Sequence, residues 1–194
     1  MLTIHSGARV LFDGDSVTDC GRDRQDRHSL SGYNDKIARN AHAGVEFFNR
    51  GISGDRSKDL LARIESDLRD TKPDVVSILI GINDPTTALA YEQNMRGILK
   101  TVRAFGAKII LLEPFLLPTL ERFQIFREDL DFKIDAARKL AREFADAYVP
   151  LDGLFAEETL TTEPALLSFD SVHPTELGNE KIARWWLERV RFEV

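Results

Sequence analysis

The stretch Val75-Val76-Ser77-Ile78-Leu79-Ile80 decides how this chain is read. Five of its six residues are apolar, and Pro73 and Gly81 bound it. A continuous apolar run of this length, too short for a helix, suits a parallel strand buried on both faces. Four further runs lie around it. Val10-Leu11-Phe12 stops at Asp13-Gly14-Asp15, and Val45 to Phe48 ends at Asn49-Arg50-Gly51. Ile109 to Leu112 is closed by Pro114, and Tyr148-Val149 is interrupted at Pro150. Between the runs the apolar period changes to that of helices. Leu60, Leu61, Ile64 and Leu68 make one stripe, with Ser57 placed as its N-cap. Tyr91, Met95, Ile98, Leu99 and Val102 make a second, and Leu130, Ile134, Ala137, Ala141 and Phe144 a third. Ile182, Trp186 and Val190 form the last, with Thr175 and Glu176 near its start. Strands alternating with helices predict an α/β domain built on a mostly parallel sheet. In such sheets a site lies beyond the carboxyl ends of the strands, so chemistry should follow each run directly.

The chain has 194 residues, with no internal repeat, low-complexity tract or linker, and residues 1–194 read as a single domain. Hydrophobic residues make up 43% and charged residues 30%, an ordinary globular balance. A domain of this size buries roughly 70% of the surface its unfolded chain exposes, so it needs no covalent staple. Cys20 is the only cysteine, which excludes an intrachain disulfide and a multi-cysteine zinc site. A net charge of −6 argues against a nucleic-acid backbone as the main partner. No apolar run approaches the ~20 residues of a membrane span. The stretch 1–9 lacks the basic start and apolar segment of a signal peptide, so the expected location is cytoplasmic.

Polar segments do follow the strands. In Phe12-Asp13-Gly14-Asp15-Ser16, a serine at a tight strand-to-helix turn can serve as a nucleophile, as in the elbow of α/β-hydrolases. It can equally be a helix cap, and the G-x-S-x-G pattern is absent. In Phe169-Asp170-Ser171-Val172-His173-Pro174, a histidine has a carboxylate three residues upstream. A serine needs a base, and the base needs a carboxylate to fix its tautomer. A lone D-x-x-H is also an ordinary Asx-type turn. His5, His28 and His42 lack a carboxylate at this spacing and read as surface residues. Gly51-Ile52-Ser53-Gly54-Asp55 and Gly81-Ile82-Asn83-Asp84-Pro85 complete the set. Glycine permits close backbone approach, and an asparagine amide can donate to an oxyanion. Each segment alone is a turn; together, a parallel sheet would bring all four to one edge.

Gly14-Asp15-Ser16, Gly54, Gly81-x-Asn83-Asp84 and Asp170-x-x-His173 resemble, in order and spacing, the four blocks of the SGNH, or GDSL, hydrolases. The resemblance runs from about Arg9 to Leu187. It implies a three-layer α/β/α sandwich with a flavodoxin-like five-stranded parallel sheet of order 2-1-3-4-5. It implies Ser16 as nucleophile, His173 as general base and Asp170 as orienting acid. The Ser16 and Gly54 backbone N–H groups and the Asn83 amide would form the oxyanion hole. No metal and no cofactor is implied.

More narrowly, the segments from Leu11 to Arg22, Asn49 to Gly54, Val76 to Asp84 and Ser168 to Pro174 resemble the intracellular acetylxylan esterases of this superfamily. That points to an acetylated sugar as substrate, with short-chain acyl esters, lysophospholipids and acyl thioesters as alternatives. Arg22, Asp84 and Phe169 then become substrate-contact candidates. Asp13 stands where an apolar residue is expected, Phe169 where tryptophan is expected, and Asn83-Asp84 runs straight into Pro85. Asp15 reads as a brace for the turn and Cys20 as a small buried side chain. One of Trp185 and Trp186 reads as core, the other as a subunit contact or stacking platform, and a homo-oligomer is allowed. Phe115-Leu116-Leu117-Pro118 with Phe123 and Phe126 reads as core, or as an acyl-pocket or oligomer surface. Two rivals stand beside this reading. Val10 to Ser16 also resembles the first motif of haloacid-dehalogenase-type phosphatases, with Asp13 as nucleophile, Asp15 as acid/base and Mg²⁺ bound. A non-enzymatic sugar-binding domain could use the same fold.

Overall fold

Alternate residues of each strand face opposite layers of helix, and this parity organises the molecule. A computed structural model describes residues 1–41, 44–85 and 88–193. Its elements are β1 (Leu2–His5), β2 (Arg9–Gly14), α1 (Ser16–Asp19), α2 (Gly32–Asn40), β3 (Glu46–Asn49), α3 (Ser57–Thr71), β4 (Val75–Leu79), α4 (Ala88–Phe105) and β5 (Lys108–Leu112). A 3-10 turn (Glu121–Phe126), α5 (Arg127–Phe144), β6 (Ala147–Val149), α6 (Leu151–Glu158), α7 (Pro164–Leu167), α8 (Glu176–Leu187) and β7 (Val190–Glu193) follow. Strands β2 to β6 form a parallel sheet of order β3-β2-β4-β5-β6. Counted within that sheet, this is the expected 2-1-3-4-5.

Leu11, Val76, Ile78, Ile109 and Leu111 pack with Leu60, Ile64 and Leu68 of α3, Met95 and Ile98 of α4 and Leu140 of α5. Val10, Phe12, Val75, Ile110 and Leu112 pack on the other side with Tyr33 and Ile37 of α2 and Ile182 and Trp186 of α8. Each such side chain, taken from water, contributes about 1.5–3 kcal/mol. The result is the three-layer α/β/α sandwich. Among the described residues, no helix is long and apolar enough to cross a membrane.

Three details differ from the sequence reading. Val190 does not lie on the last helix; α8 ends at Leu187, and Val190 opens β7, which pairs in parallel with β1. Trp185 and Trp186 are both buried. Trp186 donates through Nε1 to Ser77 Oγ at 3.0 Å, and Trp185 meets the Phe155 ring edge-on at 5.0 Å. Adjacent helical positions can both be core here because α6 supplies a second wall beside the sheet. Ser57 is the first residue of α3 rather than its cap, and Leu61 sits at the exposed edge of the stripe.

The same parity puts Asp13 on the face of Leu11, against α3, where it is fully buried. A carboxylate there requires a cation, and α3 supplies Arg63, whose Nη1 donates to Asp13 Oδ1 at 2.7 Å. Arg63 also serves Asp67 at 2.6 Å and Asp55 at 2.7 Å. Three carboxylates thus share one guanidinium, and Asp13 Oδ2 has no hydrogen-bond partner. Burial outweighs the pull of Arg63 and pushes the Asp13 carboxyl up to about 7. One residue on, Gly14 lies against β4: a Cβ there would stand 1.9 Å from the Leu79 carbonyl oxygen.

Two outcomes follow for stability. Gly14→Ala should destabilise the fold by about 3 kcal/mol or displace the end of β2, because neither backbone can give way; urea unfolding within 0.5 kcal/mol of wild type, roughly the error of additive surface changes, would contradict this contact. The raised Asp13 pKa means that its contribution is complete below the unfolded value near 4 and declines as pH rises through about 7. Asp13→Asn should therefore lose less stability than wild type between those pH values, whereas parallel curves would mean that Asp13 is ionised throughout.

Candidate active site

Strand β2 delivers Ser16 to the first position of α1. The Asp15 side chain caps that helix, its Oδ1 accepting from Val17 N–H at 3.0 Å. Asp15 is buried, and that burial pushes its carboxyl up to about 7. It braces the turn, as the sequence suggests. Ser16 itself is partly exposed, and its Oγ lies 2.9 Å from His173 Nε2.

His173 Nδ1 lies 2.6 Å from Asp170 Oδ2. Asp170 Oδ1 accepts from the backbone N–H groups of Val172 and His173, at 3.0 and 2.7 Å. Burial pushes the Asp170 carboxyl up, but these bonds from His173 and Val172 win and hold it below the ordinary carboxylate range. The loop is fixed from behind. Ser171 has φ +77°, its carbonyl accepts from Leu117 N–H and its Oγ accepts from Leu120 N–H, both at 2.9 Å. Ser168 Oγ donates to the His173 carbonyl at 2.8 Å. Two motifs 157 positions apart are thereby joined into a Ser–His–Asp line.

Gly54 lies on the loop after β3, with φ +86°. Its neighbour Ser53 donates through N–H and Oγ to Asp19 Oδ2, at 3.0 and 2.8 Å, tying this loop to α1. Ile52 N–H donates to the Gly14 carbonyl at 3.0 Å. Asn83 follows β4, and its Nδ2 donates to the Asp55 carbonyl at 3.1 Å. Asp84 is buried and accepts from Ser57 N–H and Oγ, so its carboxylate anchors the start of α3. A cleft of about 370 Å³ opens beside His173 and Asn83. Ile82, Val172, Phe123, Phe126 and Leu130 give it apolar walls. Phe115, Leu116 and Leu117 are core, so the aromatic-rich segment divides between the two roles considered for it.

Other sequence candidates fall elsewhere. The Arg22 side chain is only 6% exposed; it donates to the Gly51 carbonyl at 3.3 Å, lies beside Asp19 and does not line the cleft. Phe169 is 62% exposed and does not line the cleft. Cys20 is half-buried at the end of α1, and burial pushes its thiol up. His5 and His28 are largely exposed, and His42 lies outside the described residues. The phosphatase reading fails on geometry: Asp13 is fully buried and held by Arg63, so it cannot reach a substrate phosphorus. Among the described residues, no group of three or more histidine, cysteine or acidic side chains could hold a metal ion.

The sequence reading missed Arg63 and Lys133. Lys133 is buried on α5, where its ammonium donates to the Asp84 carbonyl and to Asp129. A signal for Arg63 was present: an aspartate at an apolar strand position must find a buried cation.

Known proteins share sequence and fold with this chain. Residues 12–181 match the model of the GDSL-like lipase/acylhydrolase family. An acetylxylan esterase from Geobacillus stearothermophilus is 33% identical, over 99% of this chain and 98% of its own. A thioesterase 1/protease 1/lysophospholipase L1 from Escherichia coli K12 is 32% identical, over 74% of this chain and 66% of its own. The crystal structure of Axe2, an acetylxylan esterase from Geobacillus stearothermophilus, superposes with a TM-score of 0.84 at 32% identity, covering 95% of this chain and 94% of that one. The chain belongs to the GDSL-like lipase/acylhydrolase family and is a carboxylic ester hydrolase.

Proposed function

We propose that this family member removes small O-acyl groups, O-acetyl groups on carbohydrate before others, through a Ser16 acyl-enzyme. The observation that carries the reading is the line from Ser16 Oγ to His173 Nε2 to Asp170, at 2.9 and 2.6 Å. His173 takes the Ser16 proton as Oγ attacks the ester carbonyl, then returns it to the departing alcohol. Asp170 is poised to hold the imidazole tautomer and balance the imidazolium. The negative oxygen of the tetrahedral intermediate is received by the Ser16 and Gly54 backbone N–H groups and the Asn83 amide. Water, activated by the same histidine, then releases the acid.

Carbohydrate as the alcohol portion is supported by full-length similarity to a protein named acetylxylan esterase. The cleft is larger than an acetyl group requires, and Phe123 and Phe126, which line it, can contact a sugar-sized alcohol. A second reading draws on the same walls: an apolar cleft also suits a longer acyl chain, as in a short-chain acyl esterase, a lysophospholipase or a thioesterase.

Hydrolysis of p-nitrophenyl acetate and p-nitrophenyl octanoate separates the two. Preference for acetate is expected; preference for octanoate would keep the mechanism and replace the substrate. Ser16→Ala should lower kcat by roughly 10⁴-fold or more with the fold retained, and undiminished turnover would remove Ser16 as nucleophile. Asn83→Ala should lower kcat about 10²–10³-fold, since a donor to the oxyanion is lost. A change confined to KM would count against that role.

A further inference from the structure

Arg63 lies outside the reacting groups, yet it grips two of the chain segments that carry the site. Its Nη1 donates to Asp13 Oδ1 at 2.7 Å, and its Nη2 donates to the Gly14 carbonyl at 3.1 Å. Both acceptors belong to the end of β2, three and two residues before Ser16. Its Nε donates to Asp55 Oδ2 at 2.7 Å, and Asp55 directly follows Gly54. The Asp55 carbonyl in turn accepts from the Asn83 amide at 3.1 Å. Asp67, one turn further along α3, accepts from Nη1 at 2.6 Å and steadies the guanidinium. Among the described residues, Arg63 is the only basic side chain that pairs with Asp13 or Asp55. The Arg63 side chain is 18% exposed, so water competes little for these bonds.

We propose that Arg63 is a positioning residue for the oxyanion site, one guanidinium fixing the distance between the Ser16 turn, the Gly54 loop and the Asn83 amide. The proposal rests on the roles given above to Ser16, Gly54 and Asn83. Oxyanion donors act because they are already in place when charge develops, so an element that sets their spacing contributes without touching substrate. The planar fork of arginine sends donors in fixed directions toward Gly14, Asp13 and Asp55. Lysine would keep the charge and lose the directions. The arrangement also gives Asp13 a task. It holds Arg63 from beneath and, through its Oδ1, accepts from Gly14 N–H at 2.9 Å.

The test compares Arg63→Lys, Arg63→Gln and Asp55→Ala with wild type and Ser16→Ala on p-nitrophenyl acetate. Inhibition by phenylboronic acid is measured alongside, since its tetrahedral serine adduct places an oxygen where the oxyanion forms. Arg63→Lys should lower kcat about 10–100-fold, because displacements near 1 Å carry penalties of that order. KM should stay within about threefold, while boronate affinity falls with kcat. Arg63→Gln should lose more. Asp55→Ala leaves the Asp13 pair in place and should lower kcat about tenfold; it keeps the test decisive if the Arg63 variants fail to fold. In the Arg63→Lys, Asp55→Ala double variant the losses should be less than multiplicative, since both act through one link. Wild-type kcat and boronate affinity in the single variants, with only a lower melting temperature, would reduce Arg63 to a structural role and overturn the proposal. Undiminished turnover in Ser16→Ala would instead overturn the underlying assignment.

Discussion

Asp13 is buried at the end of a central strand with helices over both faces, and much of the molecule follows from that placement. An isolated carboxylate there would be prohibitively desolvated, so a cation must reach it. Only the α3 face is available, because Asp13 shares the parity of Leu11. Arg63 fills that requirement while also bonding Asp55, Asp67 and the Gly14 carbonyl. A buried pair of this kind is weak evidence for stability, since desolvation offsets most of the attraction. Removing one partner is another matter, costing about 3–5 kcal/mol, because the remaining charge is stranded. The pair therefore locks an arrangement more than it strengthens one, and what it locks is the geometry of the strand ends.

A second constraint acts from the opposite side of Ser16. The Asp170–His173 loop has no helix or strand of its own to stiffen it. Its rigidity comes from cross-links: the Ser168–Pro174 bridge, the Ser168 bond to the His173 carbonyl, and two bonds from the Leu117–Leu120 stretch to Ser171. Small hydroxyl residues at positions 168 and 171 make this possible: both are buried, Ser168 spends its Oγ inside the loop, and the Ser171 Oγ accepts from Leu120 N–H outside it. The histidine is thus presented to Ser16 from a braced turn.

The legible parts of the sequence were those whose physics is local. Val75 to Leu79 reads as a buried parallel strand because hydrophobicity alone demands it, and the turns after β2, β3 and β4 read as site segments because parallel sheets gather their carboxyl ends. The three long helices after β3, β4 and β5 showed their apolar periods. What escaped depended on distant partners. β1 and β7 are four residues each and form only because the two ends of the chain meet. The helix α2 hides its period because Asn34 is buried to bond the Thr18 carbonyl at 2.8 Å. The helix α6 begins directly after Pro150 and buries only Leu151 and Phe155, too few to mark a stripe. Arg22 likewise depends on a partner far along the chain: its nearly buried side chain donates to the Gly51 carbonyl, and it lies beside Asp19. The serine, histidine and aspartate were legible as a set, but only folding could set their distances.

The cleft beside His173 bears on which esters can enter. It includes Asp84, Asp129, Lys133 and Asp170 among its lining residues, yet each charge is already engaged. Asp84 holds Ser57, Lys133 holds Asp129 and the Asp84 carbonyl, and Asp170 holds His173. Among the described residues of the cleft, no cation is left to receive a phosphate or carboxylate. A charged group entering it would surrender hydration and gain no partner, a loss that apolar contact cannot offset. An uncharged acyl group or an acetylated sugar would give up far less and gain apolar contact with the lining residues Phe123, Phe126 and Leu130. Neutral esters, the substrates proposed above, are therefore the ones this lining suits by contact and by charge. A phosphorylated alcohol could be accommodated only with its charge held outside the cleft, in water.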